Sequence, residues 1–148
     1  MKTPKVTPEN LRKAYNDGCE DVKKVLENLY GKEVFESGEI KSFEDACALL
    51  GIKVSDVLSK YDTKDEEAYK KLKVIVKALN DDWELDWDDT NQKKWYCWFK
   101  MGSGFGFDGT VWITAHTRGS GSRLCFKNEK LAKYAGETFT DIYKSFLI

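Results

Sequence analysis

One histidine, His116, is all that this chain offers as a general base of neutral pKa. A nucleophile–base enzyme needs such a base beside its nucleophile, and no local motif sets His116 next to a cysteine or serine. The glycine-dense run GSGFGF lacks the Gly-Lys-Ser/Thr ending of a phosphate loop. The four cysteines, Cys19, Cys47, Cys97 and Cys125, are scattered without a C-x-x-C pair. That removes zinc spacing and predicts free thiols, with Cys47, Cys97 and Cys125 buried. No apolar run approaches the ~18 residues of a membrane span. The opening, MKTPKVTPEN, lacks the apolar stretch of a signal peptide. The expected setting is cytoplasmic, with no membrane role, no cofactor, no metal and no catalytic residue.

What is present is aromatic and charged. Aromatic residues make up 14% of the chain and charged ones 33%, so many rings must be placed in a core or on a binding face. The net charge of −1 hides an asymmetry. Residues 93–148 carry nine basic and four acidic side chains, net +5, and residues 1–92 carry 15 and 21, net −6. The acidic half is mainly helical in pattern, and the basic half holds the strands.

Thr7 before Pro8 is a helix start. Leu11, Ala14, Tyr15, Val22, Val25, Leu26 and Leu29 recur at helical spacing, broken at Asp17-Gly18, as one kinked helix or two short ones. Ser42 opens a helix that Gly51 closes. Thr63, with Glu66 at the capping-box position, opens another that runs to Asn80. The short SDVLSKYDT segment between them gives helix–turn–helix-like spacing, but its acids do not suit a DNA-reading helix. The run DDWELDWDD alternates acids with Trp83, Leu85 and Trp87. It lacks a calcium loop's glycine and closing glutamate and reads as an acidic connection pinned by its tryptophans. Asn128 caps a last helix with a broad aromatic stripe.

The stretch 95–126, WYCWFKMGSGFGFDGTVWITAHTRGSGSRLCF, reads as three strands joined by glycine-rich links. Alternation from Lys94 to Met101 puts Trp95, Cys97 and Phe99 on one face and Tyr96, Trp98 and Lys100 on the other. From Thr110 to Thr117, Val111 and Ile113 oppose Trp112 and His116. A short third strand covers Arg123 to Phe126. The expected fold class is α+β: N-terminal helices, a three-stranded antiparallel sheet, and a C-terminal helix packed on the face of Trp95, Cys97, Phe99, Val111 and Ile113. The chain reads as one domain over 1–148, mainly helical over 1–80 and sheet plus closing helix over 81–148.

ALNDDWELDW, KKWYCWF, GSRLCFKNEKLAKYAGETF and DIYKSFLI resemble a family of small uncharacterised proteins encoded by Bacteroidetes bacteria and their phages, including crAss-like phages. LENLYGKEVF and IKSFEDACALLGI are similar to it too. The resemblance implies a phage or prophage setting and transfers no catalytic residue. Other members tend to have W-x-P-D-W where this chain has Trp83-Glu84-Leu85-Asp86-Trp87.

Two functional readings follow. In the first, a sheet face bearing Tyr96, Trp98 and Trp112, flanked by Lys94, Lys100 and His116, stacks nucleic-acid bases. Arg118 and Arg123 bracket Gly119-Ser120-Gly121-Ser122, and with Ser120 and Ser122 would hold a phosphate or an acidic side chain. In the second, the protein is an interaction module, a virion component or host-directed inhibitor, and binds a host or phage protein through an exposed apolar patch.

Overall fold

Side-chain caps set where three of the described helices begin. The structure, a computed structural model, describes residues 8–30, 40–114 and 123–148. The chain divides into two compact units, Met1–Ile40 and Lys41–Ile148.

The first unit holds α1 (Pro8–Asp17) and α2 (Glu20–Tyr30). The break falls at Gly18, where a Cβ would lie 2.8 Å from the Ala14 carbonyl oxygen and 2.7 Å from Val22. The Tyr15 hydroxyl donates to Glu27 at 2.5 Å and ties the two helices together. Of the two alternatives that the pattern left open, the chain takes two short helices.

The second unit begins with α3 (Phe43–Leu50). The Ser42 hydroxyl accepts from the Asp45 N–H, and Gly51 closes the helix in the left-handed region at φ 66°. A single turn, α4 (Val54–Val57), leads to α5 (Lys64–Asn80). Thr63 and Glu66 form the reciprocal capping box expected of them. Ala68, Leu72, Ile75 and Val76 face inward, and α5 packs against α3 and the last helix.

The sheet has two antiparallel strands, β1 (Lys94–Lys100) and β2 (Gly106–Ile113). Where a third strand was expected, the described residues give one bridge: Trp95 and Phe126 exchange backbone hydrogen bonds of 3.0 and 2.8 Å. β2 begins inside the stretch read as a loop. Phe107 turns its edge to Phe99, and Phe105 stacks on the same ring. These contacts carry the pairing back to Gly106. The register slips between Trp98 and Phe99, leaving Asp108 as an extra residue beside Gly109 at φ 145°.

The closing helix divides into α6 (Glu129–Thr138) and α7 (Thr140–Leu147). The Asn128 side chain caps α6 at the Leu131 N–H. The Thr140 hydroxyl donates back to the Gly136 carbonyl at 2.7 Å, a bond that bends helices. α6 lies on the sheet: the Cys97 thiol donates to the Ala132 carbonyl, and Gly136 receives the Phe107 ring. α7 brings Tyr143 onto Phe99, with ring centroids 4.6 Å apart. Phe126, Ala132, Ala135, Phe139 and Tyr143 complete the core. No described helix is long and apolar enough to cross a membrane.

Candidate functional site

Directly paired residues of an antiparallel sheet point to the same face. Trp95 pairs with Trp112, and Cys97 with Thr110; these lie on the face that α6 and α7 cover. Lys94 pairs with Ile113, Tyr96 with Val111 and Trp98 with Gly109, all on the other face. This corrects the expected grouping. Val111 and Ile113 do not share the face of Cys97 and Phe99. Trp112 does not share the face of Tyr96 and Trp98; its ring sits 6.2 Å from that of Trp95. Alternation fixes the faces within each strand, but only the register relates one strand to the other.

The sequence-selected residues therefore divide. Trp98 is 58% exposed, and Lys100, on the same face, is also exposed. Val111 (38%) adjoins Trp98 across the strands, and Met101 (52%) follows at the hairpin tip. Tyr96 has the same orientation but is buried. Trp112 is 48% exposed on the opposite face, with the Lys93 ammonium 4.6 Å above its ring. His116, Arg118, Ser120 and Ser122 lie outside the described residues. Arg123 is described and lines a hollow at the end of α5.

Lys94 reverses its expected role. It is fully buried instead of standing at a cationic rim. Its ammonium donates to the carbonyls of Asp89 and Gln92, at 3.2 and 3.0 Å, and lies 5.2 Å from the Trp87 ring. The Gln92 side chain spans the same turn, accepting from the Asp86 N–H and donating to the Glu84 carbonyl. The acidic connection is thus clamped from its own C-terminal end. Among the described residues no cluster of three or more His, Cys, Asp or Glu is placed to hold a metal ion.

The hollow is what the reading of the sequence missed. Its volume is about 280 Å³. Lys73, Val76, Lys77 and Asn80 of α5 form one wall; Asp81, Asp82, Trp83, Glu84 and Leu85 form a second; Arg123 and Cys125 close it. The Asn80 amide donates to the Cys125 carbonyl at 2.8 Å, and its oxygen accepts from the Lys127 N–H at 3.0 Å. One buried side chain thus fastens the end of α5 to the segment before α6. Asp81 is the one non-glycine described residue at positive φ, 55°. The only signal in the sequence was a helix-ending asparagine before a tryptophan flanked by acids, which does not foretell a hollow.

No protein family, no curated protein and no solved structure matches the chain.

Proposed function

We propose that this protein is a non-enzymatic binding module that takes single-stranded nucleic acid on the Trp98 face of its β-hairpin, as an accessory protein of a phage or prophage in the host cytoplasm. One observation carries the reading: a tryptophan 58% exposed on a sheet face, with an exposed lysine two residues on. An exposed indole is free to stack, and every base offers it a π-face. Lys100 supplies a phosphate contact. The Lys93–Trp112 pair repeats the aromatic–cation combination on the opposite face of the ribbon. The non-enzymatic part is supported by the thiols of the core: burial pushes Cys97 up to about 11, away from a nucleophile. The reading includes Arg123–Phe126 as a third strand beside β1, supported by the bonded pair Trp95 and Phe126.

The test is fluorescence anisotropy with labelled single strands of about 20 nucleotides, a length that exceeds the site of one small domain. Single strands should bind more tightly at low salt than at high salt, and better than duplex. Trp98→Ala should cost about 1–3 kcal/mol, the worth of one stacked base. Lys100→Ala should lower the salt slope by about 1. Absence of single-strand binding at low salt overturns the reading.

A second reading has its own observation. Trp98 and Val111 are both exposed on one face of the hairpin, an apolar pair that suits a protein partner. Recovery from host lysate of a partner that survives nuclease treatment and is lost with Trp98→Ala would support this second reading.

A further inference from the structure

We propose that the hollow at the C-terminal end of α5 is a binding site for a nucleoside monophosphate. The proposal shares no residue with the Trp98 face, so each can fail alone.

Three chemistries meet in the lining. Trp83 and Leu85 are half-buried and give a flat apolar wall over a floor of buried Val76 and Cys125. Lys73, Lys77 and Arg123 give three cations, and Asp81, Asp82 and Glu84 three carboxylates. Among the described residues no ion pair or side-chain hydrogen bond engages the charged groups of Lys77, Arg123, Asp81, Asp82 or Glu84. Lys73 has only the Tyr69 ring, 4.9 Å from its ammonium. All six are exposed to solvent and so accessible to a ligand. Left unmatched, they suit a ligand that carries an anion at one end and hydrogen-bond donors at the other.

The phosphate belongs with Lys73, Lys77 and Arg123: Lys77, in the last turn of α5, offsets the partial negative charge of the terminal carbonyls, and a guanidinium fork can hold two of the phosphate oxygens. The sugar hydroxyls belong with the carboxylates after the helix, acceptors of the kind that ribose hydroxyls use. The base is left for Trp83, on which it stacks. A volume of about 280 Å³ is at the small end of ligand pockets, which admits one nucleotide and not a strand.

The test titrates the full chain with each of the four common ribonucleoside monophosphates. Calorimetry gives affinity, and the Trp83 indole N–H resonance reports the site. Expected is saturable binding of at least one of the four at a single site with a shift of that resonance. The matching nucleoside and inorganic phosphate should each bind about tenfold more weakly or worse, as loss of one charged contact implies. Lys77→Ala with Arg123→Ala, both exposed and so removable without loss of fold, should weaken binding by about tenfold or more. Trp98→Ala should leave it unchanged. The proposal is overturned if none of the four gives a saturable shift at millimolar concentration, if inorganic phosphate alone binds as tightly, or if the folded double variant binds undiminished.

Discussion

Four thiols share one chemistry and differ only in surroundings. Cys47 and Cys125 are buried and Cys97 is half-buried, its sulfur directed at the Ala132 carbonyl and, at 3.5 Å, at the Tyr143 hydroxyl. Cys19 is exposed just before α2. There the backbone N–H groups of Val22 and Asp21 point at its sulfur and hold its pKa below the ordinary thiol value, while burial pushes Cys47 up. A maleimide reagent on the folded protein should therefore modify Cys19 first, beginning at lower pH than a free thiol would. Mass spectrometry of the digest checks the order, and labelling of Cys47 or Cys125 ahead of Cys19 would contradict it. Cys97 yields a second expectation. Burial raises it from 9.0 to about 11, and burial also holds Tyr143 well above its ordinary value. A group with a raised folded pKa stabilises the fold below its unfolded pKa, and that stability drains as pH rises towards the folded value. Urea midpoints should fall between about pH 9 and 11, more gently in Cys97→Ala, where only Tyr143 remains of the pair.

At the scale of elements, α6 fits tightly against β2. A Cβ placed on Gly136 would lie 2.2 Å from the Phe107 ring. Gly136→Ala should then destabilise the protein by about 1–3 kcal/mol, the usual cost of overpacking, despite alanine's better helix propensity. Trimming the ring should relieve part of this. The double variant Gly136→Ala, Phe107→Leu should lose less than the sum of the two single losses, as residues in contact do. Denaturant titration of the four proteins measures the coupling, and strict additivity would show that the ring has room to move. The same contact marks the limit of what the sequence tells. Helix ends were legible because Ser42, Gly51, Thr63, Glu66 and Asn128 act on backbone groups within four residues of themselves. The pairing of β1 with β2 was not, because a register depends on bulges and distant packing. Hence Trp112 was assigned to the wrong face, and Gly106 to Gly109, the start of β2, were read as loop. Lys94 looked like a surface cation because its partners are carbonyls, which no residue type announces. The exposure of Trp98 could be anticipated as an alternative but not decided. The hollow beside Arg123 joins residues some 40 positions apart and left no local trace.

At the scale of the whole molecule, the division at Ile40 has consequences for where function resides. The core of the second unit is built from its own residues: Phe43 and Ala46 of α3, Leu72 and Ile75 of α5, Phe126, and Ala132, Phe139 and Tyr143 of the closing helices. A core of that kind, with side-chain caps on α3, α5 and α6 drawn from the same unit, has the makings of an independently folding domain. The first unit stands differently. Its helices are 10 and 11 residues long, below the ~12–15 at which an isolated helix becomes stable in water. Val22, Val25 and Leu29 of α2 are exposed, so part of its apolar stripe does not contribute to a core. A chain beginning at Lys41 should therefore unfold cooperatively in urea, with a midpoint close to that of the full chain, and residues 1–40 alone should show weak helical circular dichroism. Since Trp98, Lys100, Lys77 and Arg123 all belong to the second unit, the shortened chain should also keep whatever single-strand and nucleotide affinity the full chain has. If it folds but loses either affinity, the first unit takes part in that site. If it fails to fold, the two units are one cooperative structure, and the boundary at Ile40 is only a local thinning of contacts.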